Sequence, residues 1–173
     1  MKIKKIVICG LFCAVMCLLA PLNIQIGMIP ITLATFAIYV IGAAVPPSYA
    51  LVSVICYIIL GSVGLPVFSG FEGGIQKLFG ITGGYIIGYI PCVVIISSLV
   101  TKVKSKLIFP LSMILGTAVM YALGTARYVL EAKCSVFAAI VVCVLPFFVG
   151  DAIKITLASI VAPKIKALLE QNR

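Results

Sequence analysis

The sequence predicts an all-α integral membrane protein, built as a compact bundle of six transmembrane helices. Two observations predict this class. The first is composition, since 64% of the 173 residues are hydrophobic and the mean hydropathy is +1.33, whereas soluble domains are only about half apolar. The second is that no charged residue occurs from Ile6 to Phe71, a run much longer than the ~20 apolar residues that one spanning helix needs.

The first three spans come from this uncharged run. We expect the first helix at about residues 6–20. Because Pro21 and a second apolar segment follow it at once, a spanning helix fits better than a cleaved signal peptide. The loop PLNIQIGMIP comes next and is expected to lie against the membrane or over a site. The second helix is expected at about residues 32–45, where Pro46-Pro47 ends it, and the third at about residues 49–63.

The second half supplies three more spans and one shorter apolar segment. After the Gly- and Pro-rich stretch GLPVFSGFEGG, the fourth helix occupies the uncharged run between Lys77 and Lys102, and the fifth covers about residues 107–129. Only 12 residues then separate Lys133 from Pro146. That apolar segment is short for a span and suits a re-entrant or surface helix. The last spanning helix is expected at about residues 149–169.

The positions of the basic residues favour six spans with both the N- and C-termini in the cytoplasm. That orientation puts nine of the 13 basic residues at cytoplasmic ends: Lys2, Lys4, Lys5, Lys102, Lys104, Lys106, Lys164, Lys166 and Arg173. A seventh span would carry the last three outside and remove the asymmetry that the positive-inside rule describes. The net charge of +9 therefore reflects membrane orientation. Nucleic acid is not an expected partner, because no basic stripe with interleaved aromatic residues is present.

The stretch FFVGDAIK places two ionisable residues, Asp151 and Lys154, in an apolar context. Their i, i+3 spacing puts both on one helical face. One interpretation is structural: Gly150 begins the last helix, Asp151 caps its first turn, and Lys154 extends towards water. The other is functional, since ionisable residues at membrane depth usually face a cavity or a partner, and this pair would form a polar binding floor.

Two glycine-rich segments are further candidates. In FSGFEGG, Glu72 precedes Gly73-Gly74, and glycine lets the backbone approach a ligand closely; a solvated loop tip is the alternative. In GITGGYIIG, Gly83-Gly84 at a helix start precedes Tyr85, with helix packing as the alternative. The P-loop pattern G-x-x-x-x-G-K-[ST] is absent from the sequence, so the chain carries no recognisable ATPase of its own.

The first helix carries two stripes of small residues. Gly10 and Ala14 form a small-x-x-x-small pair, which either docks a partner membrane subunit or packs internally. Cys9, Cys13 and Cys17 share one helical face, and packing against a neighbouring helix is favoured over metal binding. The chain has no His and no zinc-type Cys spacing. No metal, cofactor or catalytic residue is predicted.

Four segments in order, MIPITLATF, GSVGLPVFSGFEGG, GITGGYIIGY and LPFFVGDAIK, resemble those of the biotin-specific S components (BioY family) of the energy-coupling factor (ECF) vitamin transporters. The resemblance covers nearly the whole chain. It implies that residues 1–173 form a single transmembrane substrate-binding domain in the cell membrane. Its biotin pocket would face outwards, under the first loop and among the outer ends of helices four to six.

The resemblance also implies roles for particular residues and partners. Asp151 and Lys154 would contact the polar head of biotin. Further contacts would come from Glu72, Gly73, Gly74, Gly83, Gly84 and Tyr85. The Gly10 and Ala14 face would dock the ECF transmembrane subunit, which works with two ATPase subunits. This chain differs from the family pattern at Ala34, where Gln is common, at Gly10, where Ala is usual, and at the acidic Glu72.

Three alternatives stay open on the sequence alone. The chain could be an S component for another small vitamin or precursor. It could be a membrane-embedded enzyme that uses Asp151 and Glu72 as acid and base. It could also be a purely structural partner subunit.

Overall fold

The computed structural model describes residues 2–26, 29–103 and 105–171, and it is predominantly helical as predicted. Six helices of 11 to 27 residues form the body: α1 (Lys2–Leu19), α2 (Ala34–Ala44), α3 (Pro47–Ser62), α5 (Gly83–Lys102), α6 (Ile108–Ala132) and α8 (Leu145–Gln171). The smaller elements are helices α4 (Gln76–Phe79) and α7 (Val136–Cys143) and strands β1 (Asn23–Ile26) and β2 (Ile29–Thr32).

Helix α2 is the central element of the bundle. Ten of its residues are buried, and it packs against α5 and α8, as expected of a helix that is apolar all round. The helix ends at Ala44, and the carbonyl of the capping residue Val45 accepts a hydrogen bond of 2.5 Å from the hydroxyl of Ser97. That bond satisfies a polar backbone group that the end of a helix would otherwise leave open. Pro47 then opens α3, where proline needs no N–H partner.

Helices α5 and α6 pack closely because glycine lies between them. A β-carbon placed on Gly84 would lie 2.6 Å from the carbonyl oxygen of Leu123 and 3.1 Å from the α-carbon of Gly124. One placed on Gly88 would lie 3.2 Å from the α-carbon of Met120. Small residues allow two helix backbones to approach in this way within a membrane.

The protein is a helical membrane protein. By length and composition α5 and α6 can each cross a membrane, and α7 with α8 passes the same test as one bent span, with 50° between Val136–Val142 and Pro146–Gln171. Helices α2 and α3 are apolar but shorter; the 11 residues of α2 extend about 16 Å at 1.5 Å per residue. The count of six spans and the cytoplasmic termini stay predictions. Helix α7 coincides with the short apolar segment expected before the last span.

Two elements differ from the sequence predictions. The loop PLNIQIGMIP forms an antiparallel hairpin together with the two residues that follow it, in which Asn23 pairs with Thr32 and Ile24 with Ile31. Its alternation of polar and apolar residues is typical of a strand. Helix α8 begins at Leu145 rather than near residue 149, because Pro146 is tolerated in a first turn, where its missing N–H has no helical partner in any case.

Three residues used in the sequence argument, Met28, Lys104 and Arg173, lie outside the described residues.

Candidate functional site

A cavity of about 320 Å³ opens at the end of the bundle where the hairpin, the α3–α5 connection and the first half of α8 meet. We call it the Asp151 cavity. Its size is that of a small-molecule site. Many of its lining side chains are aromatic or apolar: Tyr57, Phe68, Tyr85, Ile86, Tyr89, Met120, Tyr121 and Phe147. The polar lining comes from Asn23, Thr32, Thr35, Ser69, Glu72, Lys77, Thr82, Asp151 and Lys154.

A buried ion pair lies in the wall of this cavity. Asp151 is 4% exposed and Lys154 is 8% exposed, and the Lys154 Nζ lies 3.0 Å from the Asp151 Oδ1. Burying a charged pair is costly unless the remaining lone pairs and protons also find partners. A carboxylate and an ammonium held this way at a cavity wall are therefore suited to recognising a polar ligand.

Side chains from two other helices complete the cluster around Asp151. The Thr35 hydroxyl on α2 donates a hydrogen bond to the Asp151 Oδ1 at 3.4 Å and accepts one from the Lys154 Nζ at 3.0 Å. The Tyr121 hydroxyl on α6 donates to the Asp151 Oδ2. Tyr121 in turn packs edge-on against Tyr85 and Phe147, with ring centroids 6.5 Å apart in both pairs. Neither Thr35 nor Tyr121 was predicted from the sequence as a site residue.

The helix-cap interpretation of Asp151 is wrong. Because α8 begins at Leu145, the first turn of the helix contains no acidic residue, and Gly150 lies inside the helix instead of starting it. Lys154 does not extend to water either, since its ammonium is buried against Thr35 and Asp151. The two residues do neutralise each other, but they do so inside the protein.

Glu72 lies at the mouth of the Asp151 cavity and is more exposed than expected for a deep contact. Its side chain is 53% exposed and forms an ion pair with Lys77. The loop around it is tightly folded: the Phe68 N–H donates to the Glu72 carbonyl at 2.9 Å, and Phe71 has a positive φ of 58°. The charge of Glu72 is thus balanced at the cavity entrance.

The four glycines predicted near the ligand lie outside the set of residues that line the cavity. Gly74 has a φ of 104°, which favours glycine, and its N–H donates to the Gly61 carbonyl at 2.7 Å. A β-carbon on Gly73 would lie 2.8 Å from the Gly64 carbonyl oxygen, and one on Gly83 would lie 3.1 Å from the Leu78 α-carbon. Gly84 packs against α6. These glycines allow close backbone contacts around the site, while Tyr85 itself lines the cavity.

The hairpin and the FSGFEGG loop are joined over the cavity. The Asn23 Nδ2 donates to the Ser69 Oγ at 2.7 Å, and the Gly70 N–H donates to the Pro21 carbonyl at 3.0 Å. Asn23 and Ser69 both line the cavity. The loop PLNIQIGMIP was expected to lie either against the membrane or over a site, and its described residues match the second expectation.

The two stripes on α1 face in different directions. Gly10 and Ala14 are exposed, and a β-carbon on Gly10 would meet no atom within 4 Å, so this pair does not pack internally. Cys9 and Cys13 are buried, and the Cys9 thiol contacts the backbone of α3 at the Tyr49 carbonyl, 3.6 Å away. In the described part of the chain, no group of three or more His, Cys, Asp or Glu residues could hold a metal ion.

Comparison with known proteins decides the family. Residues 1–171 match the family model described as the BioY family. The chain belongs to the BioY family. It is 36% identical over 169 residues to the probable biotin transporter BioY of Pyrococcus horikoshii, covering 96% of this chain and 98% of that protein. It is 34% identical over 166 residues to the biotin transporter BioY of Thermotoga maritima, covering 95% and 97%.

A solved structure shares the BioY-family fold. The crystal structure of an S-component for biotin from an ECF-type ABC transporter superposes with a TM-score of 0.88 at 24% identity, covering 98% of this chain and 92% of that one. The family resemblance inferred from four ordered sequence segments is confirmed. In this BioY-family chain, those segments contribute strand β2 with the start of α2, the loop at Glu72, the start of α5 and the buried Asp151–Lys154 pair.

Proposed function

We propose that this chain is a membrane-embedded, high-affinity biotin-binding subunit that captures biotin outside the cell for uptake with an ECF energizing module. The curated relatives of the chain are named biotin transporters. The observation that carries the proposal is the buried Asp151–Lys154 pair in the wall of a ligand-sized cavity. The chain is accordingly a substrate-binding subunit and not an enzyme.

The hydrogen bonding around the pair leaves capacity for a ureido group. A carboxylate has about four acceptor positions and an ammonium has three donors. Within the described residues, Asp151 accepts from Thr35, Lys154 and Tyr121, and Lys154 donates to Thr35 and Asp151. About one acceptor position, on the Asp151 Oδ2, and one Lys154 donor therefore remain. The adjacent N–H and C=O of a ureido ring complement this pair.

The rest of the cavity suits the apolar part of biotin. The aromatic rings of Tyr85, Tyr121 and Phe147 form a continuous edge-to-face row beside the ion pair. Such a wall would contact the thioether ring and the valeryl chain. At the mouth, Lys77 balances Glu72, so the entrance does not repel an anionic ligand through an unpaired carboxylate.

The positions of the lysines support an orientation in the membrane. Lys4, Lys106 and Lys166 lie together at the end of the bundle opposite the Asp151 cavity. Since basic residues favour the cytoplasmic side, the Asp151 cavity would face outwards. We place the protein in the cell membrane as a multi-pass protein with both termini in the cytoplasm.

The exposed face of α1 has the features of a docking surface for a partner subunit. Gly10 and Ala14 are bordered by exposed apolar side chains, including Ile6 at 70% and Leu18 at 72% exposed. Small residues flanked by apolar ones are typical of close helix–helix docking in membranes. We assign this face to the ECF transmembrane subunit, which would link the chain to two ATPase subunits.

The direct test is ligand binding by the purified protein. Biotin should bind with high affinity, and thiamine and riboflavin should not compete with it. Mass spectrometry of the co-purified small molecule should identify biotin. Tight binding of a different vitamin would support the alternative S component, and turnover of a substrate would be required for an enzyme.

A further inference from the structure

A second cavity, of about 490 Å³, lies at the end of the bundle opposite the Asp151 cavity. It is formed by the start of α1, the end of α2, the start of α3, the α5–α6 connection and the last turns of α8. We call it the lysine cavity. Among the described residues, three lysines line it, namely Lys4, Lys106 and Lys166, against one acidic residue, Glu170. The proposed capture of biotin makes no use of this cavity.

The lysine cavity carries a surplus of positive charge. Three ammonium groups face one carboxylate, and the Lys5 Nζ lies 5.3 Å from the centre of the Tyr49 ring, which also lines the cavity. The Lys166 Nζ donates to the Val100 carbonyl at 3.2 Å, which holds that ammonium at the cavity wall. An anion entering here would gain attraction from several lysines at once.

Much of the remaining wall is apolar. Ile8, Val45 and Phe109 line the cavity beside the lysines. The surface next to it is apolar as well, since Ile3 is 78% exposed and Leu107 is 77% exposed. A freely dissolved anion would gain nothing from this surface. A ligand that joins a negative headgroup to hydrocarbon chains would use both parts.

We propose that the lysine cavity binds the phosphate headgroup of an anionic phospholipid in the cytoplasmic leaflet. The lysines would contact the phosphate, and the acyl chains would run along the exposed apolar surface of α6 beside Leu107 and Leu111. Basic pockets between helices on the cytoplasmic side are suited to such headgroups, because that leaflet carries the negative surface potential. The proposal depends on the orientation given above, and it is independent of which vitamin binds at Asp151.

The test uses the full-length protein purified in detergent and titrated with phosphatidylglycerol or phosphatidylcholine, with bound lipid counted by native mass spectrometry. The variant K106Q/K166Q removes two lining charges. Lys102 and Lys164 lie at the same end but do not line the cavity, so K102Q/K164Q is the matched control with the same change in net charge. We expect the lining variant to lose phosphatidylglycerol affinity by about tenfold or more, because it removes two charged donors that would contact the phosphate directly. The control variant should stay close to wild type.

Three further measurements keep the outcome decisive. Biotin affinity should be unchanged in both variants, which shows that they fold, and K106Q alone should give an intermediate loss without removing the Lys166 hydrogen bond. Inorganic phosphate at millimolar concentration should not displace the lipid. Equal lipid retention by the two double variants would overturn the proposal, as would equal affinity for phosphatidylcholine or displacement by free phosphate. The proposal would also be overturned if the lining variant kept its lipid but failed to assemble with a partner membrane subunit, because the cavity would then be a protein-binding site.

Discussion

Replacing Asp151 by Asn should reduce biotin affinity strongly while preserving side-chain shape. Asp151 is 4% exposed and accepts hydrogen bonds from Thr35, Tyr121 and Lys154. The amide removes the negative charge, so the Lys154 ammonium loses its ionic partner in a buried setting. It also removes an acceptor for a ureido N–H. A lost hydrogen bond to a charged group costs about 1.5–3 kcal/mol, which corresponds to roughly 10- to 150-fold in the dissociation constant.

The assay should be isothermal titration or equilibrium binding of labelled biotin, since the chain has no Trp to report binding by fluorescence. Glu131→Gln is a matched control: it makes the same acid-to-amide change in the ion pair with Arg127, at 2.5 Å, on the exposed end of α6. The control should shift affinity by less than about twofold, because exposed pairs contribute about 1 kcal/mol or less to stability and this one lies outside the cavity lining. A folded Asp151→Asn protein with wild-type affinity would refute the assignment of the ureido site.

Three further predictions follow from the same structure. Tyr121→Phe removes the hydroxyl that holds Asp151 and should weaken biotin binding roughly three- to tenfold in the same titration; unchanged affinity would show that this bond does not position the carboxylate. Gly10→Leu should leave biotin affinity and thermal stability unchanged, because no atom lies within 4 Å of a β-carbon there, but it should abolish co-purification with the partner membrane subunit; normal assembly would contradict the docking face. Gly84→Val should lower the free energy of unfolding by about 1–3 kcal/mol through overpacking against α6, measured by thermal unfolding in detergent; an unaltered midpoint would contradict the close helix contact.

Hydropathy and the order of the motifs were the most informative features of the sequence. A long uncharged run can be accommodated only in a membrane or a very large core, so the helical membrane class followed without any contact information. The order of four short segments indicated the BioY family. Asp151 and Lys154 were recognisable as a candidate site because ionisable residues are expensive at membrane depth.

Local sequence patterns were less informative where the same residues were compatible with two different secondary structures. The start of α8 depended on whether Pro146 opened the helix or preceded it. The four-residue shift changed Asp151 from a helix cap into a buried side chain of the second turn. The hairpin of strands β1 and β2 was not predicted, because two strands of four residues each have the same sequence pattern as an ordinary Pro-bounded loop.

The partners of the ion pair were decided by tertiary structure alone. Thr35 is separated from Asp151 by 116 residues and Tyr121 by 30 residues, and nothing in the periodicity of either helix specifies what it faces. Helical periodicity fixes which side chains share a face, but the packing of α2 and α6 against α8 decides which faces meet. The sequence by itself therefore determined the membrane class, the family and the charged pair. The fold determined the cavity, the hydroxyl groups that hold the pair and the lysine-lined pocket at the opposite end, because each of these depends on contacts between helices distant along the chain.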